Sequence, residues 1–238
     1  MICKIRILIL LSALLTGWAS DAAPASAASK KAVTAVDTIT AAGAFLRIPD
    51  QDLDIILPGA RRDMVDYMEA DSIRKTRNIY GGLSWIEDMT PGYMKVHLTD
   101  VSSLQVKILP LGKDPAGMVM TIYTVSDGEG TGADSALKFY TPAMQELKLE
   151  KHFHTPDPKA FYRIPKDAPV TLKELEETVP FYTMEFTTGP STTTLKGRVT
   201  ADDHLTDEER RRIAPYRVAD LLWIWDGRRY RLAPDLRK

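Results

Sequence analysis

An α+β fold is what this sequence predicts: N-terminal helices, then an antiparallel β-meander, then a second half in which a helix again precedes antiparallel strands. Three observations carry that expectation. Apolar residues recur at helical spacing as far as residue 69, the period falls from about 3.6 to 2 after Gly81-Gly82, and helix followed by alternating strands returns after a proline-rich run. At 238 residues, with 44% hydrophobic and 26% charged, the chain can bury one large core or two modest ones.

Residues 1–19 read as a secretory signal peptide. Lys4 and Arg6 supply the positive region, residues 7–15 (ILILLSALL) the apolar region, and Gly17-Trp18-Ala19 a small-x-small cleavage site, with Ala25 and Ala27 as further candidate sites. That apolar run is shorter than the roughly 20 residues a membrane-spanning helix needs, and no later run approaches it. Cys3 leaves with the peptide, so the expected mature chain is thiol-free and depends on packing rather than disulfides. A periplasmic or other envelope location follows. Residues 20–35 are Ala/Ser-rich and read as a flexible lead-in.

The first α+β half spans residues 36–152. A helix capped by Asp37 places Ile39, Ala42, Phe45 and Leu46 on one stripe, and Pro49 ends or restarts it. A second helix follows Pro58-Gly59, with Ala60, Met64, Tyr67 and Met68 on the dry face and Arg61, Arg62, Asp63, Asp66 and Glu69 on the wet one. Residues 93–99 and 103–109 alternate as half-buried antiparallel neighbours. Residues 117–125 are apolar on both faces, the pattern of a central strand, and residues 135–141 close the meander.

Prolines crowd residues 153–170, the candidate junction with the second half, residues 171–238, although one continuous domain is equally compatible with the sequence. Capping boxes at Thr171/Glu174, with a Val170/Leu175 staple, and at Thr206/Glu209 open two helices. Strands are expected at residues 181–187 and 193–200. In residues 220–232 (DLLWIWDGRRYRL), a two-residue turn at Asp226-Gly227 would pair Trp225 with Arg228 and Trp223 with Tyr230, giving a core face of Leu221, Trp223, Tyr230 and Leu232.

Strong catalytic signatures are absent. Ser72-x-x-Lys75 and Ser135-x-x-Lys138 lack the companion motifs of a penicillin-binding site. His152 and His154 would share one side of a strand, yet no Cys/His cluster accompanies them; Asp127, Glu129 and Asp134 lack calcium-loop spacing. No cofactor or metal is expected. A formal net charge of -1 gives no global positive field, so nucleic acid is not an expected partner.

Two groups remain as candidate binding residues. Tyr93, Lys95, His97, Gln105 and Lys107 should project together from adjacent strands, either as the plain solvent side of the sheet or as a mildly basic surface for an acidic polymer or protein. Trp225 and Arg228 could form a platform for carbohydrate or peptide, or could simply belong to the hairpin core.

The ordered segments IPDQDLDIILPGARRDMVDYMEADS, YGGLSWIEDMTPGYMKVHLTDVSSLQVKILPL and LKFYTPAMQEL resemble the exported Gram-negative domain-of-unknown-function family DUF3256, over roughly residues 36–150 and more loosely beyond. Thr99-Asp100 stands where that family usually has Thr-Glu. The resemblance implies an exported α+β protein and carries no catalytic signature. The expectation is therefore a non-catalytic module that binds an envelope protein or polymer, the alternative being a hydrolase built from dispersed carboxylate and histidine residues.

Overall fold

A computed structural model describes residues 38–128, 132–179, 182–200, 204–218 and 220–234. The expected signal peptide, the lead-in, Cys3, Asp37 and Glu129 lie outside the described residues. Within them the fold is α+β, in three layers: helices, a larger sheet and a smaller sheet.

The first helix, Ala41–Arg47 (α1), is capped by Thr40, whose Oγ1 accepts from Gly43 N–H at 3.0 Å. The second, Pro58–Glu69 (α2), starts with proline at its first position, where no amide donor is needed. Among the described residues the strands Thr76–Arg77 (β1), Leu83–Thr90 (β2), Tyr93–Thr99 (β3), Ser102–Leu111 (β4), Asp114–Ser126 (β5), Ala133–Tyr140 (β6) and Glu146–Leu147 (β7) pair in chain order as a seven-stranded antiparallel meander. Strand β2 has no counterpart in the sequence expectation. Its alternation is broken at a bulge between Ile86 and Asp88, which turns Glu87 out of the ladder.

After the proline-rich run come the helix Leu172–Thr178 (α3), the strands Met184–Thr187 (β8) and Leu195–Val199 (β9), the helix Asp207–Ile213 (α4), and the strands Asp220–Trp225 (β10) and Tyr230–Leu232 (β11). Both capping boxes form, at Thr171/Glu174 and Thr206/Glu209. The second sheet runs β11-β10-β9-β8 among the described residues. Phe153, Phe161, Tyr162 and Val170 of the proline-rich run are buried in the core between the sheets, and Val36–Lys238 forms one compact unit.

Each face of the larger sheet has its own core. Met94, Val96, Leu98, Leu104, Val106 and Val119 meet Phe45, Ile56, Met64 and Val65 from the helical side. Leu109, Met118, Met120, Ile122 and Phe139 face the smaller sheet with Phe186, Leu195, Trp223 and Tyr230. Strand β5 is dry on both sides because it contributes to both cores, as its unbroken apolar run requires.

The terminal hairpin differs from the two-residue turn. Trp225 pairs with Tyr230, Ile224 with Arg231 and Trp223 with Leu232, so residues 226–229 form the connection and Asp226 N–H donates to Arg229 C=O at 3.1 Å. The carboxylate of Asp226 accepts from the Arg228 and Arg229 amides, at 3.0 and 2.8 Å, which stabilises the wider loop. A register shift of two residues keeps every side chain on its face. Leu221, Trp223 and Tyr230 are accordingly buried, whereas Leu232, expected in the core, is 42% exposed on β11, the edge strand of the smaller sheet.

Trp223, 2% exposed, lies over Gly197 of β9: a Cβ there would stand 2.7 Å from its Cζ3 and 3.1 Å from Phe186 Cε1. The missing side chain is what admits the indole.

Candidate functional site

A proline and an arginine place the site. Pro49 ends the path of α1 and a 3₁₀ turn, Asp50–Asp52, follows it. Arg61 of α2 then reaches back into that segment. Its Nε donates to Ile56 C=O at 2.9 Å, its Nη1 to Ile48 C=O at 2.6 Å, and its Nη2 to Leu53 C=O and to Asp50 Oδ1. The sequence pattern puts Arg61 on the wet face of the helix, yet it is only 1% exposed. Three otherwise orphaned carbonyls and a planar, five-donor guanidinium account for the difference. Burial pulls its pKa down from the ordinary guanidinium range, and Asp50 partly offsets that.

Held this way, the turn hangs Asp52 over the end of β6. Asp52 Oδ1 lies 2.6 Å from Lys138 Nζ, and Tyr140 OH donates to Oδ2 at 3.1 Å. Lys138 also pairs with Glu146 of β7 at 3.2 Å. Ala136, Lys138 and Tyr140 alternate along β6, with Tyr123 and Thr121 as the cross-strand partners of Ala136 and Lys138. The small Ala136 leaves room between the turn and the sheet, a cleft of about 250 Å³ lined also by Gln51, Asp54, Ile55 and Leu104. The hydrogen bond to Asp52 holds the Lys138 ammonium above its ordinary pKa. Burial, then the Asp52 charge, pushes the Tyr140 phenol up. Both groups move away from neutrality, so the cleft offers fixed charge and hydrogen-bonding groups rather than a proton shuttle. From sequence, Lys138 enters only through the Ser135-x-x-Lys138 match, and neither Asp52 nor Tyr140 is a candidate site residue. The signal available was the polar break in β6, a lysine two residues before a tyrosine.

The polar face expected on β3 and β4 is one face, since Tyr93 pairs with Lys107 and Lys95 with Gln105. Much of it is not solvent-facing. The smaller sheet covers Tyr93, Gln105 and Lys107, all buried. Gln105 Nε2 donates to Phe186 C=O at 3.4 Å, and its Oε1 accepts from Thr188 N–H at 3.1 Å and from Tyr93 OH at 3.3 Å. Lys107 Nζ donates to the carbonyls of Gly189 and Pro190 at 2.8 and 2.9 Å. Asp134 and Ser135 of β6 likewise accept from the Met184 and Phe186 amides. Side chains of the larger sheet thus satisfy the open edge of β8, which would otherwise invite strand pairing.

Lys95 and His97 remain partly exposed. Lys95 Nζ is 2.7 Å from Glu87 Oε2, and the His97 ring stacks on Trp85, its cross-strand partner, at 3.6 Å between centroids. Lys75 Nζ sits 4.2 Å from the Trp85 ring, so that indole is engaged by both a cation and an imidazole. His97 lies 3.8 Å from both Glu87 and Asp100.

Trp225 and Arg228 do not form a platform. Trp225 is buried against Phe139 and Tyr230, and its Nε1 donates to Pro110 C=O at 2.6 Å, tying the hairpin to the end of β4. Arg228 is exposed, and its carbonyl bonds His152 Nδ1 at 2.9 Å. His152 therefore serves as a strut while His154 points elsewhere, to the surface. Among the described residues no three His, Cys, Asp or Glu side chains gather where they could hold a metal ion.

A solved structure of a domain of an uncharacterized protein from Porphyromonas gingivalis W83 shares this fold, with a TM-score of 0.69 and 19% identity over 82% of this chain and 98% of that one. None of the curated proteins matches the chain. The family model described as protein of unknown function (DUF3256) matches residues 33–230, and the chain belongs to that family.

Proposed function

We propose that the protein is an exported, envelope-associated binding module whose ligand site is the cleft beneath the Asp50–Asp52 turn. One observation carries the reading: the Asp52 carboxylate accepts from both Lys138 and Tyr140 in a cleft whose lining also includes the apolar Leu104 and Ile55. That combination orients a ligand through a few fixed polar groups and buries its apolar part, the usual division of labour in a binding site. The signal-peptide pattern of residues 1–19 supports an envelope location, with an envelope protein or polymer as partner.

The test is photo-cross-linking in living cells with a benzophenone side chain at Gln51, on the cleft rim, and at Lys173, on the exposed face of α3, as control. Adducts specific to position 51, recovered from the envelope fraction with an N-terminus processed near residue 19, are expected. Retention of Met1 in a cytosolic pool, or the same adducts from both positions, overturns the reading.

A further inference from the structure

Half of the exposed large apolar side chains among the described residues fall within residues 57–83: Leu57, Ile73, Ile79, Tyr80 and Leu83. They lie along one margin of the larger sheet, where β1 is the edge strand. The turn at residues 78–82 joins β1 to β2 and carries Ile79 and Tyr80 at its tip. Ile79 N–H donates to Ile55 C=O at 3.1 Å, which sets the tip beside Leu57 at the start of α2, and Leu83 pairs with Arg77 across the two strands. The turn is pinned. Buried Asn78 accepts through Oδ1 from the Tyr80 and Gly82 amides, at 3.1 and 3.0 Å, and donates through Nδ2 to Leu98 C=O at 3.0 Å, while Gly81 supplies a φ of +81°. A pinned turn that leaves Tyr80 73% exposed holds an apolar tip out in water, and burial against another surface recovers that cost.

The charges of this margin have one sign. Between Asp71 and Glu87 the chain carries Arg74, Lys75 and Arg77 and no carboxylate. All three are exposed, and none forms an ion pair among the described residues. Arg74 lies over the Tyr67 ring of α2 at 5.1 Å, Lys75 over Trp85 of β2 at 4.2 Å, and Arg77 Nη1 donates to Gly81 C=O at 3.2 Å. The cations thus straddle the edge strand beside the apolar tip, held by ring faces and a carbonyl that leave their charge uncompensated.

We propose that this margin docks on an anionic lipid surface. Leu57, Ile79 and Tyr80 enter the interfacial layer, and Arg74, Lys75 and Arg77 lie at the depth of the lipid phosphates. A bilayer fits better than an acidic protein because the apolar groups stand out on a turn tip, and a fluid interface receives a protruding group without a preformed pocket. The net charge of -1 supplies no long-range attraction, so the contact depends on these cations within a Debye length of the surface. The Asp52 cleft takes no part in it.

Co-sedimentation with vesicles tests it, using the chain from residue 20, which keeps the compact unit Val36–Lys238 and lacks the apolar run of residues 7–15 that would bind lipid on its own. Saturable binding to vesicles of phosphatidylglycerol and phosphatidylcholine in equal parts is expected, at least about tenfold tighter than to phosphatidylcholine alone and weakened by salt. Arg74→Gln, Lys75→Gln and Arg77→Gln combined should lower the affinity about a hundredfold, or about fivefold for each charge. Ile79→Ser with Tyr80→Ser should lower it about tenfold and leave Tm unchanged, since both side chains are exposed. Arg211→Gln with Arg212→Gln, on α4, should keep it within about twofold. Equal affinity for the two kinds of vesicle, binding that the triple replacement leaves intact, or retention of poly-glutamate through the same three cations without vesicle binding would each overturn the lipid assignment, the last by giving the margin to an acidic protein.

Discussion

Lys107 donates to the Gly189 carbonyl at 2.8 Å, joining the middle of the larger sheet to a turn 82 positions later in the chain. With Gln105, two residues away on the same face, it forms a polar latch inside an interface that is otherwise apolar. The two latch residues differ in what their removal leaves behind.

Gln105→Leu orphans the Thr188 amide, the Phe186 carbonyl and the Tyr93 hydroxyl together. The loss should be on the order of 3 kcal/mol. Lys107→Met abandons two carbonyls but also relieves the desolvation that lowers the Lys107 pKa, so its net effect should stay near 1 kcal/mol. Urea midpoints of the two variants check the ranking, and the reverse order would refute the latch as described.

Tyr93 ties the latch to pH. Burial, and then the charges of Asp88 and Glu87, push its phenol from 10.0 up to about 12. The folded state therefore keeps a proton that the unfolded chain loses above pH 10, and this contribution to stability is present below that value and disappears as pH rises toward about 12. Tyr140 and Tyr230 are shifted in the same direction. Tyr93→Phe should make the alkaline loss shallower, as read by denaturation midpoints across that window.

Arg61 should be the most sensitive charged position in the helical layer. Arg61→Ala leaves the Ile48, Leu53 and Ile56 carbonyls without their donor and should cost about 3–5 kcal/mol. Asp50→Ala should cost under about 1 kcal/mol, because the Asp50 side chain is 70% exposed. Thermal unfolding of both variants separates a carbonyl-organising arginine from a simple ion pair, which would give comparable losses.

Gly197→Ala adds a methyl group 2.7 Å from Trp223 Cζ3 and 3.1 Å from Phe186 Cε1, so something must shift. Overpacking of this kind costs roughly 1–3 kcal/mol. A shifted tryptophan emission together with a lower Tm is expected; an unchanged spectrum and Tm would mean that the contact is not close.

The sequence by itself determined the local elements. Strand β3 occupies residues 93–99 as its period-two pattern requires, both capping boxes form, and β5 is buried on both faces as its apolar run demands. These follow from interactions within a few residues, where propensity, spacing and capping act. The parity of the terminal hairpin was also legible, although its loop length was not, because Asp226 supports a four-residue connection through side-chain bonds that a dipeptide rule does not weigh.

Only the tertiary structure decided which polar residues face water. Alternation separates the two sides of a sheet but cannot tell which is roofed by a distant layer, so Tyr93, Gln105 and Lys107 look solvent-facing until β8 is laid across them. Arg61 looks like a surface charge until three carbonyls from another segment converge on it. The cleft beneath the Asp50–Asp52 turn joins residues far apart in the chain, Asp52 with Lys138 and Tyr140. Desolvation and hydrogen-bond satisfaction depend on what folds over a group, and that is a property of the assembled layers.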